Sequence, residues 1–218
     1  DLPEYACNLE FGVKKYFNQS KNYISIRAFS TLISSHIGRS YYSIFSDIST
    51  PDNNTIIYNE EEVTTLANRN LGNRYLYGGS IDGFFSLSIP LKIRGNISII
   101  DAAKSIKYGP LPSISPTFGR LFIQYQKHKL LTHLSYQFSA KKNVEDYSNG
   151  GEDGLEETPL LSENPRVFGG TPAWNELSWL AQYNFKDRTV FRVGLENIFD
   201  VHYRPFASGI SAPGRNLK

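Results

Sequence analysis

Four histidines are the side chains of this sequence best suited to metal binding or acid–base chemistry. The four together do not have the spacing of a set of ligands to one metal ion. We therefore expect ordinary polar positions, with no metal site, no haem ligand and no cofactor. They are His36, His128, His133 and His202.

A second candidate is the segment 144–164, VEDYSNGGEDGLEETPLLSEN, because carboxylates in a Gly-rich loop are potential Ca²⁺ ligands. Its acidic residues do not follow the D-x-[DN]-x-[DN]-G spacing of a calcium loop, so a solvated loop is the better interpretation. The six carboxylates are Glu145, Asp146, Glu152, Asp153, Glu156 and Glu157.

Other catalytic patterns are missing from the sequence. The Gly-rich stretch 72–80, GNRYLYGGS, has neither phosphate-loop nor dinucleotide spacing. No Ser/His/Asp grouping stands out. The sequence therefore predicts no catalytic residue, and we do not expect an enzyme.

Composition excludes several further classes of protein. The 218 residues carry 23 Lys and Arg against 21 Asp and Glu, a balance that gives no reason to expect a nucleic-acid partner. The single cysteine, Cys7, rules out an internal disulfide. No apolar run is long enough for a membrane helix. The chain starts inside a strand pattern, without Met or a signal peptide, so we expect it to be part of a longer protein.

Alternation of apolar and polar residues with a period of two dominates the sequence and predicts an all-β protein. In the clearest strand, Phe191, Val193 and Leu195 point to one face while Arg192 and Glu196 point to the other. We expect about eight strands, longer than the usual ~5–6 residues of a soluble strand. Their predicted bounds are 7–17, 22–31, 74–88, 91–99, 118–126, 130–138, 174–185 and 189–198.

The connections between these strands alternate strictly between short and long. Short polar turns lie near residues 18–21, 88–90, 127–129 and 186–188, and long segments cover 34–70, 101–117, 141–172 and 199–216. Tight turns at one end and long loops at the other are typical of antiparallel transmembrane barrels. Strand length agrees, because a tilted strand needs about 9–11 residues to cross the hydrocarbon layer.

Alternation alone leaves other all-β folds open. A soluble carbohydrate-binding β-sandwich would bury the apolar faces in a core, whereas a barrel turns them towards lipid. A self-contained eight-stranded outer-membrane barrel, acting as an adhesin or an anchor, would also fit the strand count. Aromatic residues at the strand ends, such as Tyr16, Tyr183 and Phe199, favour a membrane barrel because such side chains gather at membrane interfaces.

The stretch 196–216, ENIFDVHYRPFASGISAPGRN, is dense in turn-forming residues. Asn197 and Asp200 can turn the backbone through side-chain hydrogen bonds, and Gly209 and Gly214 are expected to supply positive φ. Arg204 and Arg215 can bond loop carbonyls or a carboxylate such as Asp200. We interpret the stretch as a loop that sets the register of a following strand; direct ligand contact is the alternative.

This stretch resembles the C-terminal signature of TonB-dependent outer-membrane receptors, in which G-x-x-N-L-F-D-x-x-Y is followed by P-G-R-x and the last strand. Ile198 replaces the usual Leu. The segments LPEYACNLEFGVKKYF, GGSIDGFFSL and GPLPSISPTFGR resemble internal strands of the same family. The residues that carry the terminal resemblance are Gly194, Asn197, Phe199, Asp200, Tyr203, Arg204, Ser208, Gly209, Pro213, Gly214 and Arg215.

The resemblance implies that residues 1–218 are one domain, the C-terminal third of a probable 22-stranded barrel without its plug and final strand. It implies an active transporter of the bacterial outer membrane that takes up a scarce large ligand, such as a ferric siderophore, haem or cobalamin. The implied partners are outer-membrane lipid, the rest of the barrel and its plug, a TonB-type energising protein and the ligand.

Ligand contacts, if this segment provides them, are expected in the long loops. Tyr, Trp and Arg dominate binding hot spots, although the same residue types form interfacial girdles. The candidates are Arg39, Tyr41 and Tyr42 in the first loop, Tyr108 in the second and Trp174 near the third.

Overall fold

A computed structural model of the chain describes residues 2–19, 21–44, 54–186 and 188–218. Its main feature is one antiparallel sheet of nine strands. In spatial order these are β1 (Tyr5–Phe17), β2 (Asn22–Ser34), β7 (Arg74–Ser86), β8 (Leu91–Ala102), β9 (Phe118–Lys127), β10 (Leu130–Ser139), β13 (Trp174–Lys186), β14 (Thr189–Glu196) and β15 (Asn216–Leu217). No helix in the described ranges has the length and apolarity to cross a bilayer.

The eight predicted strands are confirmed as β1, β2, β7 to β10, β13 and β14. The largest differences, three residues, are at the ends of β2 and β8, which extend to Ser34 and Ala102. The final strand was expected to lie outside the chain, and this is corrected in part. Residues 216–217 already pair with β14, and the amides and carbonyls of Gly194 and Lys218 bond each other at 2.9 Å.

The sequence suggested that the long connections are plain loops, but two of them contain short strands. We call them loop A (35–73), loop B (103–117), loop C (140–173) and loop D (197–215). Loop A contains two two-stranded sheets and loop C contains one. They pair β3 (Ile37–Tyr41) with β6 (Leu66–Asn70), β4 (Thr55–Tyr58) with β5 (Glu61–Thr64), and β11 (Leu160–Glu163) with β12 (Arg166–Phe168).

The register places apolar side chains together on one face of the sheet, which we call the apolar face. Ile81 at its centre pairs with Ile26 on one side and Ile97 on the other. Ile26 is 53% exposed and Ile81 50%, so nothing in the described chain covers this face. The face also contains Leu9, Phe11, Val13, Ile99, Leu121, Leu134, Tyr136 and Val193.

The opposite face, which we call the polar face, carries most of the charged and amide side chains of the sheet. Its members include Arg27, Asp82, Lys92, Arg94, Asn96, Arg120, Gln124, Gln137, Glu176 and Arg192. An exposed apolar face backed by a polar one is the polarity of a barrel wall, with lipid outside and an aqueous interior.

This arrangement disagrees with both alternative folds. A sandwich needs a second sheet over the apolar face, and the buried apolar residues of the described ranges lie instead among the loops and at one strand end: Leu71, Ala102, Leu111 and Tyr147. A self-contained barrel needs its edge strands to pair. In the described sheet β1 and β15 each pair on one side only, so it is an open segment.

Candidate ligand-binding site

Asn197 organises loop D from a buried position directly after β14. Its amide nitrogen donates to the carbonyls of Val201 (2.9 Å) and Pro213 (3.1 Å), and its Oδ1 accepts the Val201 amide at 2.9 Å. The Asn197 backbone amide donates to Glu176 Oε1 of β13 at 3.0 Å. One side chain therefore joins both ends of the loop, which confirms the turn-forming role predicted for it.

Positive φ in this loop falls on non-glycine residues, contrary to the prediction. Asn197 (φ 49°), Asp200 (φ 56°) and Ala207 (φ 56°) have it, whereas Gly209 and Gly214 do not. Close approach explains Gly214 instead, because a Cβ there would lie 3.0 Å from Asp200 Oδ1. That oxygen accepts the backbone amide of Arg215 at 2.7 Å, so a side chain at 214 would crowd the bond.

The two arginines of the terminal motif stabilise loops C and D. Arg204 Nη1 donates to the Glu157 carbonyl at 2.6 Å and lies 3.2 Å from Glu157 Oε2. Arg215 Nε donates to the Ile198 carbonyl at 3.0 Å. Loop carbonyls or a carboxylate such as Asp200 were predicted as partners of the two arginines. Arg204 bonds both a carbonyl and a carboxylate, which belongs to Glu157 rather than Asp200, and Arg215 bonds a carbonyl.

A buried cluster around Lys142 joins loops B, C and D. The Lys142 ammonium donates to the Ile114 carbonyl of loop B and lies 3.7 Å from Asp153 Oδ2 of loop C. It also lies 4.1 Å from the ring centroid of Phe206 in loop D. Asp153 Oδ1 accepts the Ser113 amide at 2.6 Å, a second link between loops B and C.

This cluster corrects the expectation that the acidic segment is simply solvated. Asp153 is buried because its carboxylate satisfies backbone amides from two loops and faces the Lys142 ammonium. Burial lowers the pKa of Lys142 from its ordinary value, and the nearby Asp153 carboxylate opposes that shift. Burial also raises the pKa of Tyr147, whose hydroxyl bonds Thr171.

A cavity of 460 Å³ lies between loops C and D beside this cluster. Its wall includes a stacked aromatic pair, Trp174 and Tyr203, with ring centroids 4.2 Å apart and planes inclined by 23°. Trp174 Nε1 is buried without a hydrogen-bond partner in the described chain, so one donor is unsatisfied. Burial, followed by the Glu176 charge, raises the pKa of Tyr203.

Charged groups complete the cavity wall. Glu157 and Arg204 form an ion pair there, and Glu152 and His202 also line it. Aromatic surface combined with a few charges is the usual composition of a small-molecule site. No group of three metal-ligating side chains occurs in the described ranges.

The five predicted ligand contacts lie at three places. Trp174 lines the cavity between loops C and D. Tyr108 of loop B has the guanidinium carbons of Arg69 and Arg74 at 5.9 and 5.8 Å from its ring centroid. Arg39 and Tyr41 lie on β3 and Tyr42 follows it, all exposed on loop A. The structure does not gather them into one described cavity, and their ligand role stays a prediction.

Sequence reasoning missed the residues that accompany Trp174 in the cavity. Tyr203 and Arg204 were interpreted as loop-closing residues, and Glu157 as part of a solvated loop. The only sequence signal for them was the alternative that the terminal motif contacts a ligand directly. Their side chains meet Trp174 through tertiary folding, since 29 positions separate Trp174 from Tyr203.

Fold and polarity together define a class: the chain is a segment of an antiparallel transmembrane β-barrel wall with structured loops at one end. No protein-family model matches the sequence, and no curated protein matches it.

Solved structures show the same fold, and they include a copper transporter, a siderophore receptor and a ferric-catecholate import receptor. The copper transporter OprC superposes with a TM-score of 0.69 at 16% identity, over 99% of this chain and 30% of that one. The siderophore receptor PirA from Acinetobacter baumannii gives 0.66 at 15%, over 99% and 31%. The ferric-catecholate import receptor Fiu from E. coli gives 0.64 at 15%, over 99% and 27%. At such identities the likeness shows the fold, and the chain spans about a third of these proteins.

Proposed function

We propose that this chain forms part of the wall and loop surface of a bacterial outer-membrane active transporter. The transporter takes up a scarce large ligand, such as a ferric siderophore, haem or cobalamin, with energy relayed by a TonB-type protein. The segment itself is not an enzyme. Its partners are outer-membrane lipid, the remaining barrel strands, a plug domain and the ligand.

The observation that carries this proposal is the polarity of the sheet. Nine strands present a continuous apolar face to the outside, and the opposite face carries Arg27, Lys92 and Arg94. An apolar face of this size is stable in lipid, whereas in water it marks an interaction or aggregation surface. The fold likeness to a copper transporter and to siderophore and ferric-catecholate receptors gives further support.

We assign the cavity between loops C and D as a ligand contact of this transporter. Trp174 and Tyr203 offer aromatic surface, and Arg204 and Glu157 offer paired charges. Trp, Tyr and Arg side chains in such a setting contribute most of the binding free energy at protein interfaces. A bulky complex with aromatic and polar groups suits this surface.

Deletion of the complete gene tests the transport function. In cells limited for iron, haem or cobalamin in turn, uptake of the labelled ligand should fall in the deletion strain and recover with a plasmid copy. A strain without its TonB-type protein should lose the same uptake. Unchanged uptake of every ligand, or recovery of the full-length protein in the soluble fraction, would contradict the proposal.

A further inference from the structure

The polar face carries a groove that is separate from the cavity between loops C and D. It occupies 550 Å³ across strands β7, β8 and β9, near the end of the sheet with the short turns. Three cations line it: Lys92, Arg94 and Arg120. The rest of its lining is Phe84, Asn96, Phe122 and Gln124.

The strand register brings the cations together. Lys92 and Arg94 are two positions apart on β8, so both point to the same face. Arg94 pairs with Phe122 of β9, and Arg120 is therefore its diagonal neighbour, at a backbone distance of about 7–8 Å. One ligand with several anionic groups can reach all three side chains.

These charges are not neutralised within the described chain. None of its carboxylates forms an ion pair with Lys92, Arg94 or Arg120. Among the described residues Arg120 donates only to Ser135 Oγ, at 3.1 Å from both Nε and Nη2. The nearest acid by register, Asp82 opposite Asn96, lies 3.9 Å from Arg27 Nη2.

The remaining lining fits an anionic ligand that also has carbon atoms. Gln124 lies opposite Lys92 and Asn96 opposite Arg120, so amide donors alternate with the cations. Phe84 and Phe122 flank Arg94 on the two neighbouring strands, which reduces the access of water and strengthens charge-assisted hydrogen bonds. The His133 ring packs on Phe122, with centroids 4.7 Å apart.

We propose that this groove binds a ligand with two or more carboxylate or phosphate groups, held by Lys92, Arg94 and Arg120. The inference needs the polar face to line the barrel interior, and so rests on the proposed function. It assigns an anion-binding station on the wall, separate from the cavity between loops C and D.

Binding to the purified full-length protein tests this site without any transport step. Pyrophosphate and tricarballylate serve as probes in calorimetry in metal-free buffer, with acetate at equal ionic strength as the monoanion comparison. The two polyanions should bind and acetate should not. The double variant Lys92→Gln/Arg94→Gln should weaken polyanion binding at least about tenfold, since it removes two of the three cations that form charge-assisted hydrogen bonds with the ligand.

Arg192→Gln is the matched control. Arg192 also lies on the polar face, on β14, but it is outside the groove and bonds Gln182. The polyanion affinity of this variant should stay within about twofold of the wild-type value, because an exposed charge contributes little. Equal loss in both variants, or no polyanion binding to the folded wild type, would overturn the assignment. Polyanion binding that appears only after removal of an N-terminal part of the protein would also overturn it. In that case an acidic segment of the same protein would be the occupant of the groove. A protein that binds polyanions but transports nothing would instead count against the proposed function alone.

Discussion

The Lys142 ammonium lies 3.7 Å from the Asp153 carboxylate, and the two side chains are only 3% and 1% exposed. This buried pair joins loops B, C and D beside the candidate cavity. Its geometry matters because a buried charge is tolerated only when it is paired and hydrogen-bonded.

Removal of one partner of this pair should loosen the three loops. Asp153→Ala leaves Lys142 buried without its counter-charge, a change that costs about 3–5 kcal/mol in comparable buried pairs. Amide hydrogen exchange in loops B and C should accelerate strongly. Glu156→Gln, an exposed neighbour, is the control and should change little. The double variant Lys142→Met/Asp153→Leu should be milder than Asp153→Ala; an equal or greater loss would contradict the uncompensated-charge explanation.

Asn197 should be essential for the register of the last strands. Asn197→Ala removes three hydrogen bonds and leaves a side chain at positive φ with no hydrogen bond to offset the backbone strain. The combined cost should be about 3–4 kcal/mol. Asn197→Gly removes the same bonds but tolerates the backbone, so it should be about 1 kcal/mol less harmful. Urea unfolding of the refolded full-length protein measures both. Identical losses would mean that backbone strain contributes nothing.

Glu4 gives the attachment of loop A a pH dependence. Its carboxylate accepts the Ile37 amide at 2.7 Å and lies 2.8 Å from His36 Nδ1. The Ile37 bond, helped by His36, lowers the pKa of Glu4 below its ordinary value of 4.5 despite some burial. A lowered carboxyl pKa stabilises the fold above the unfolded value, and this contribution is lost as pH falls through the folded value.

The Ile37 amide resonance in NMR spectra should therefore move as pH falls below about 4.5. In Glu4→Gln the amide should lack that transition. Glu10→Gln, with the same change in chemistry on the exposed strand β1, should keep it. A transition that survives in Glu4→Gln would assign the titration to another group.

Trp174 should contribute to ligand affinity through the aromatic pair. Trp174→Ala removes the stacking partner of Tyr203 and much of the cavity wall, so affinity for the transported ligand should fall at least about tenfold, as for a hot-spot residue. Trp179 of the same strand points to the apolar face, so Trp179→Ala is a control that should leave affinity unchanged. Equal affinity of Trp174→Ala and wild type would exclude this cavity as a ligand contact.

The two faces of β8 should differ in how much stability a new charge costs. Ile97→Arg places a guanidinium on the apolar face and should cost about 2–4 kcal/mol in a bilayer, as at the midplane of other barrels. Ser98→Arg, one residue further on, points to the polar face and should cost much less. Unfolding in lipid vesicles measures the difference. A larger loss for Ser98→Arg would reverse the assignment of the faces.

Strand positions were predictable because their signal is local. Phe191, Val193 and Leu195 alternate with polar neighbours, and a period of two is enough to define a strand and its faces. The turn role of Asn197 was also predictable, since its side chain bonds its own backbone neighbourhood. The conformation of the glycines was not predictable, since a β-carbon at Gly214 would lie 3.0 Å from Asp200 Oδ1, a contact that sequence spacing does not show.

The site was less predictable than the sheet. Trp174 was identified by residue type alone, whereas Tyr203, Arg204 and Glu157 acquire their role from the contact between loops C and D. Long loops carry no periodic pattern, so their mutual arrangement depends on non-local contacts.

The sequence by itself determined the strands, their polarity and the alternation of short turns with long loops, because each depends on neighbours within a few residues. Only the tertiary structure decided that the apolar face is uncovered, that Asp153 is buried against Lys142, and that Trp174 stacks on Tyr203. Those facts depend on which distant segments meet, and a pattern with a period of two has no information about that.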